Sequence, residues 1–214
     1  KEANDFWSRA ELNLLMALIH YVVNLRDADG NLLPIEQRGL GDVYRMIATE
    51  SIEEINRKLE ALPPEHPAKY PHGLFLKAKE NLWGNIVIGL GNRLAVFQSR
   101  LVDKITRNHD VDLLLPGKRP CVYFVIISAQ DSAYRFLSSL FFSLALPQLS
   151  NFARLQCAGG RLPVLTNFCL DEYCNIGYLD GVADSLNSIR GFNMSAQIVV
   201  QSLSQWQEKY PGKE

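Results

Sequence analysis

A largely apolar run, Pro163–Leu170, ends directly before two adjacent carboxylates, Asp171 and Glu172. The run has the length of a strand, and a strand of this kind suits a parallel sheet that is buried on both faces. Open α/β sheets bind their ligands beyond the carboxyl ends of their strands. The run therefore predicts a buried strand that carries both carboxylates to a ligand-binding edge.

Two interpretations of this acidic pair stay open at this point. A buried strand that stops at a solvated acidic turn has the same sequence, and short motif matches have a high false-positive risk. The other interpretation is the Walker B arrangement of ATP-driven motors. In that arrangement Asp171 holds the Mg²⁺ of the nucleotide through water, and Glu172 positions the attacking water.

A second short strand is predicted over Ser195–Ser202, with Gln201 at its tip. A glutamine there can hydrogen-bond the γ-phosphate or the attacking water. Arg190 precedes this strand and could neutralise charge on a phosphate, in the neighbouring subunit of an assembly. Each residue also has a plain alternative, since Gln201 could simply end a strand and Arg190 could be a surface cation. The order of acidic pair, arginine and glutamine is the more specific signal.

Segments that match one known family cover most of the chain. They are Phe6–Glu11, Leu18–Val22, Leu40–Met46, Tyr123–Ser128, Phe136–Phe142, Gly159–Pro163 and Asp171–Gly177. They resemble the TraG/TraD-type coupling ATPases of type IV secretion and conjugation, particularly those of Gram-positive mobile elements, and the last segment is similar to the family's Asp-Glu-Phe-Ala-Asn-Ile-Gly. Phe192 stands where relatives often carry a second arginine, which leaves Arg190 as the candidate arginine finger.

This resemblance implies a hexameric ATPase that drives DNA or protein substrates into a secretion channel. It implies ATP and Mg²⁺ as cofactors and assigns catalysis to Glu172, Asp171, Gln201 and Arg190. Asp171 and Gln201 would contact the nucleotide, and Asp171 would hold the metal. An all-α domain would bind relaxase or effector proteins, with channel components and DNA as further partners of the assembled hexamer. The expected location is the cytoplasmic face of the cell membrane, reached only through membrane helices outside this sequence.

The sequence contains no G-x-x-x-x-G-K-[ST] phosphate loop. The glycine-rich stretch Gly84–Gly91 is followed by Asn92 and Arg93, where lysine and serine or threonine would be needed. In the resembling family this loop lies upstream of the segment that begins here. We therefore expect the chain to be a soluble piece of a larger protein, inactive as an ATPase alone, and the first residue, Lys1, agrees with this.

Composition argues against strong DNA binding, a membrane span and a zinc site in this chain. The formal net charge is −1, and no dense Lys/Arg run offers the many phosphate contacts that strong sequence-independent DNA binding requires. The apolar stretch Phe136–Leu146 is too short to cross a bilayer and predicts a buried helix. The four cysteines lack zinc-ligand spacing and are interpreted as reduced cytosolic thiols.

Before residue 112 the signals are helical. Ser51 and Glu54 form a capping-box pattern for a helix that runs to Leu62, and Asp42 could cap a short helix through Ala48. A long helical pattern then extends over 74–107. The glycines at 84, 89 and 91 either kink or break it, or permit close helix packing. Residues 1–112 are therefore predicted to be an all-α substrate-recognition domain.

After residue 112 the pattern changes to strands that alternate with helices. We predict a strand over Cys121–Ile127, a helix capped by Asp131 that runs to about Leu149, and then the two strands described above. Residues 113–214 are thus predicted to be part of a RecA-like P-loop NTPase parallel sheet. The fold class is α/β with an all-α module.

Two other functions remain as alternatives. The helical part could be a stand-alone binding module for substrate proteins. The parent protein could also be a related RecA-like DNA-pumping ATPase, such as a chromosome-segregation translocase or a secretion-assembly ATPase. The inserted helical domain argues against the segregation pump.

Overall fold

A computed structural model describes residues 2–126, 132–176 and 188–209 of the 214-residue chain. Backbone contacts divide the chain into two compact units, Lys1–His109 and Asp110–Glu214. The substrate-recognition and nucleotide-binding roles of 1–112 and 113–214 stay predictions.

The first unit is built mainly of helices, with one isolated antiparallel bridge between Arg26 and Leu32. Its helices are α1 (Glu2–Val23), α2 (Leu40–Thr49), α3 (Ile52–Glu60), α4 (Lys69–Phe75), α5 (Glu80–Arg93) and α6 (Arg100–Arg107). Helix α1 packs on α2, α4 and α5, and α3 packs on α4 and α5. The fully buried side chains that form the core include Leu14, Leu18, Val22, Ile55, Leu59, Phe75, Ile86 and Leu90. This unit therefore has a hydrophobic core of its own.

The predicted capping box at the start of α3 is confirmed. Ser51 Oγ accepts a hydrogen bond of 3.2 Å from the Glu54 amide, and the Ser51 amide donates one of 2.8 Å to Glu54 Oε2. The prediction for α2 was less accurate. Gly39 occupies the N-cap position, and Asp42, three residues later, accepts the Gly39 amide through Oδ2 at 2.9 Å.

The long helix predicted over 74–107 is divided: residues 74 and 75 end α4, and three further pieces follow, with no break at a glycine. Helix α5 continues through all three glycines and ends at Arg93, a 3₁₀ turn covers Ala95–Gln98, and α6 then begins after Ser99. Ser99 Oγ accepts the Val102 amide and so starts a new helix with its own cap. Among the three glycines, Gly89 lies closest to another helix, because the Glu11 carboxylate of α1 occupies the space of a β-carbon there. The close-packing alternative is therefore correct at Gly89.

The second unit contains helices and a small sheet. Its described elements are α7 (Leu115–Lys118), α8 (Ser132–Gln156), β1 (Thr166–Leu170), β2 (Met194–Ile198) and α9 (Leu203–Lys209), with 3₁₀ turns at Ala158–Gly160, Tyr173–Asn175 and Ile189–Phe192. A cluster of buried side chains from these elements forms the core, among them Phe142, Leu146, Leu149, Leu162, Leu170, Tyr173, Ile176 and Met194.

Strands β1 and β2 pair in parallel, with Thr166 opposite Met194 and Leu170 opposite Ile198. Within the described residues this pair is the whole sheet. A parallel pair needs a long crossover between its strands, and residues 171–193 provide it here. The chain is therefore α/β and mostly helical, in agreement with the predicted class.

The predicted strand over 121–127 is wrong for residues 121–126, which form no regular element. No backbone hydrogen bond pairs these residues with another described segment. Val122, Phe124 and Ile126 are consequently 72%, 87% and 93% exposed. The apolar sequence favours a strand, but a strand also requires a neighbour, and the pattern alone does not supply one. Ile127 lies outside the described residues.

Helix α8 is longer than predicted, since it ends at Gln156 and not near Leu149, and Pro147 lies inside it. Its segment 136–156 is long and apolar enough to cross a membrane, the one such helix among the described residues. A core helix can meet the same criterion, and Phe142, Leu146 and Leu149 are buried in the core of the second unit. Asp131, the predicted cap, lies outside the described residues.

Candidate functional site

The acidic pair follows the carboxyl end of β1, where the backbone remains bonded to the segment after β2. Val199 donates its amide to the Leu170 carbonyl at 3.0 Å, and Tyr173 donates its amide to the Val199 carbonyl at 3.0 Å. Leu170 and Tyr173 are both buried. Asp171 and Glu172 lie between these two anchors and are exposed. The sheet therefore holds both carboxylates at its carboxyl edge, where parallel α/β sheets bind ligands.

The backbone at Glu172 adopts a left-handed conformation, with φ 47° and ψ 45°. This conformation is uncommon for a residue other than glycine and costs on the order of 1–2 kcal/mol. The Glu172 amide donates a hydrogen bond of 3.0 Å to Asp171 Oδ1. The strained residue ends the strand abruptly and starts the 3₁₀ turn Tyr173–Asn175.

The Glu172 carboxylate accepts a side-chain hydrogen bond on each of its two oxygens. Gln201 donates from Nε2 to Oε1 at 3.1 Å, across a sequence separation of 29 residues. Asn175 donates from Nδ2 to Oε2 at 2.9 Å. The structure thus brings Gln201 to the acidic pair, as expected for the tips of adjacent parallel strands. Their catalytic roles stay predictions.

Asn175 is a residue that the sequence reasoning missed. It was noted only as part of the segment similar to the family motif, without a role. The signal that identifies it is its spacing from Glu172, because residues three apart lie one above the other in a 3₁₀ turn. That spacing becomes informative only once the turn is known to be 3₁₀.

Arg190 does not lie at this edge. It belongs to the 3₁₀ turn Ile189–Phe192 before β2, and Asn193, which follows, accepts the Thr166 amide at the beginning of β1. The five residues of β2 are separated by four steps of about 3.3 Å, which puts the two ends of the strand about 13 Å apart. The structure therefore places Arg190 at the opposite edge of the sheet. Phe192 packs against the core of the unit.

The turn after Glu172 is fixed by contacts on several sides. Tyr173 and Cys174 are buried, and the Tyr173 ring stacks on Trp206 of α9 with 5.5 Å between ring centroids. From α8, the hydroxyls of Ser138 and Ser139 each donate to the Ile176 carbonyl at 3.2 Å. Buried side chains and hydrogen-bonded backbone therefore support the exposed carboxylates.

Asp171 is the residue at this edge that the sequence analysis assigned to a metal. No group of three or more His, Cys, Asp or Glu side chains that could hold a metal occurs in the described parts of the chain. Mg²⁺ is commonly held by one or two carboxylates, together with water and substrate phosphates. The exposed carboxylate of Asp171 could supply one such ligand, while both oxygens of Glu172 are bonded by Asn175 and Gln201.

Comparison with protein families gives a match over the whole chain. The sequence model of the family described as type IV secretory system conjugative DNA transfer matches residues 1–214. The chain belongs to this family. Both units of this conjugative DNA transfer protein lie within the match, so the helical unit is part of the family region as much as the unit with the acidic pair. Comparisons with curated proteins and with solved structures gave no match.

Proposed function

We propose that this conjugative DNA transfer protein is part of a TraG/TraD-type coupling ATPase, and that its second unit belongs to a RecA-like nucleotide-binding domain. The observation that carries the proposal is the contact of Gln201 with Glu172 beyond the carboxyl ends of two parallel strands. An acidic solvated turn does not require such a partner. A nucleotide site does, because the γ-phosphate and the attacking water must be contacted together.

Each residue at this edge has a separate role in the proposal. Asp171 would hold Mg²⁺, and bound Mg²⁺ would neutralise charge on the phosphates. Glu172 orients the attacking water, since a carboxylate has about four acceptor positions and only two are used by Asn175 and Gln201. Gln201 contacts the γ-phosphate or the water in its own subunit.

The decisive experiment uses the protein that carries this chain together with its phosphate loop. Glu172→Gln should retain Mg·ATP binding and lose hydrolysis by at least about 10²-fold, because an amide cannot take a proton from water. Asp171→Asn should weaken the Mg²⁺-dependent part of ATP binding. Glu208→Gln, the same change at an exposed position of α9, is the control. Wild-type hydrolysis and transfer by Glu172→Gln would exclude the Walker B interpretation.

Arg190 is proposed to act on the neighbouring subunit of a hexamer. Its position at the opposite edge of the sheet from Glu172 supports action in trans, since it is remote from the acidic pair of its own chain. Mixed rings test this role. Arg190→Ala subunits with an intact phosphate loop should regain turnover beside loop-defective subunits that keep Arg190, and Gln201→Ala subunits should not. Equal behaviour of the two variants would remove the trans role.

The helical unit is proposed to recruit relaxase or effector proteins. Two observations support this role: the unit has its own core, and large apolar side chains are exposed on it, including Tyr70, Leu74 and Ile88. The purified relaxase of the same mobile element should bind residues 1–109, and a relaxase that is not mobilised by it should not. The alternative of a stand-alone binding module gains support if residues 1–109 bind the relaxase and changes in the second unit leave transfer unaffected.

The remaining partners follow from the same proposal. In the assembled hexamer the protein would contact DNA and the components of the secretion channel, at the cytoplasmic face of the membrane. Membrane attachment would come from helices outside this sequence. The segregation-type DNA pump has no support from the family match, which is to conjugative DNA transfer.

A further inference from the structure

We infer that Asn175 is a positioning residue for the Glu172 carboxylate and keeps it oriented when Gln201 turns to the phosphate or the water. This inference rests on the proposed ATPase function of the same site. It concerns a residue that touches Glu172 and not the reacting atoms.

The first argument is the geometry of the turn. The Asn175 amide donates to the Glu172 carbonyl at 2.7 Å, which closes a 3₁₀ turn. Side chains three residues apart are eclipsed in such a turn. The Asn175 side chain is therefore carried directly to Glu172, and its Nδ2 donates to Oε2 at 2.9 Å. The contact is made within one turn of the backbone, between residues three apart.

The second argument is the rigidity of the support around Asn175. Its neighbours Cys174 and Ile176 are buried, and Asn175 itself is half-buried. The Ile176 carbonyl accepts hydroxyl hydrogen bonds from α8. The backbone on either side of Asn175 is thus held by buried neighbours and by α8, whereas the Glu172 side chain is exposed. We therefore expect Asn175 to orient the Glu172 carboxylate and not the reverse.

The third argument is that Gln201 cannot bond Glu172 and the phosphate or water equally well at the same time. An exposed glutamate loses rotamer entropy when it is fixed in one orientation. In the structure Asn175 and Gln201 fix it together, one on each oxygen. When Gln201 contacts the γ-phosphate or the water, its bond to Glu172 competes with that contact. Asn175 then remains as the donor that keeps Glu172 aligned.

The activity experiment uses the protein with its phosphate loop. Asn175→Ala should lower kcat about 10- to 100-fold, the range for loss of a hydrogen bond to a charged group, and should change the KM for ATP much less. Asn175→Asp has the same shape but lacks the amide donor, so it should lose at least as much. Full activity of Asn175→Asp would mean that Asn175 has a packing role only and would overturn the inference.

A readout that needs no turnover uses the 214-residue chain. The side-chain amide resonances of Asn175 should shift on Glu172→Gln, because their acceptor changes from a carboxylate to an amide. They should not shift on Glu208→Gln. Asn175 resonances that do not respond to Glu172→Gln would overturn the inference. A spectrum of Asn175→Ala with the dispersion of a folded protein would show that this variant loses the positioning contact and not its fold.

The two proposals fail in different ways. If Glu172→Gln hydrolyses ATP normally, the proposed function is wrong. If Glu172→Gln is inactive and Asn175→Ala has wild-type kcat, only the role of Asn175 is wrong. With both correct, the double variant should be no slower than Glu172→Gln alone.

Discussion

At the scale of single residues, the first unit contains a buried polar pair with a pH consequence. His72 is 2% exposed, and its Nε2 lies 2.9 Å from Asn56 Oδ1, within hydrogen-bonding distance. Burial lowers the pKa of His72, and the nearby Lys69 lowers it further, while Glu60 opposes the shift. A buried neutral imidazole is favoured because the charged form would lose its hydration.

We predict that the helical unit loses stability as the pH falls below about 6.5. The pKa of His72 is lower in the folded than in the unfolded chain, so the unfolded chain binds more protons in this range and unfolding becomes easier. His72→Gln should reduce the slope of unfolding free energy against pH. A residual slope is expected from His66, whose pKa is also lowered by burial and by His20. Denaturant titrations at several pH values, with His109→Gln as the exposed control, measure the effect; an unchanged slope in His72→Gln would contradict it.

The candidate site was predictable from sequence only in part. Asp171, Glu172 and Gln201 were predictable because strand tips in a parallel sheet share an edge. The left-handed backbone at Glu172 and the contact with Asn175 were not, because both depend on how the chain turns after the strand. That turn is fixed by Tyr173 and Ile176, whose burial is a tertiary property.

At the scale of elements, α1 and α5 meet at a glycine. Glu11 of α1 is 8% exposed, and its carboxylate accepts a hydrogen bond of 2.6 Å from Arg93 Nε and fills the space beside Gly89. Gly84, on the same helix, has open space around it. A β-carbon would therefore collide with Glu11 at position 89 but would meet no other atom at position 84.

We predict opposite effects for the two alanine substitutions in α5. Gly84→Ala should raise the unfolding free energy by about 0.5–1 kcal/mol, because alanine is the better helix former. Gly89→Ala should lower it by about 1 kcal/mol, since Glu11 must leave its place and its bond to Arg93. Thermal or denaturant unfolding measures both. In a Glu11→Ala background, Gly89→Ala should become neutral or stabilising, and a persistent loss there would contradict the packing explanation.

The elements themselves were predicted with uneven success for a physical reason. The Ser51 cap was correct because all its atoms lie within four residues. The strand at 121–126 was wrong because pairing is a long-range property that an apolar sequence cannot guarantee. Helix α8 continues past Leu149 because its buried side chains, such as Ala153, add to the core of the second unit.

At the scale of the whole molecule, the question is whether the first unit can fold without the second. We predict that residues 1–109 fold alone, because their core is formed by their own helices. Circular dichroism of this segment should give a helical spectrum with a cooperative thermal transition. A coil spectrum would mean that its apolar surfaces depend on the second unit.

We also predict that the 214-residue chain does not turn over ATP at a measurable rate. The sequence lacks the phosphate loop that supplies most contacts to the β- and γ-phosphates. A coupled ATPase assay on the purified chain measures this. Turnover on the order of 1 s⁻¹, which is typical of a competent enzyme, would contradict the prediction, and an inactive Glu172→Gln control would exclude a contaminant.

The exposed apolar segment 121–126 has a practical consequence for the isolated chain. Six consecutive residues, Cys-Val-Tyr-Phe-Val-Ile, have no charge and no proline, and no backbone hydrogen bond pairs them with another described segment. Such a stretch can template intermolecular cross-β stacking, so the solubility limit of the preparation should be set here. Light scattering should rise steeply with concentration and fall on Phe124→Lys, whereas Ile88→Lys, at an exposed apolar position of a helix, should have little effect.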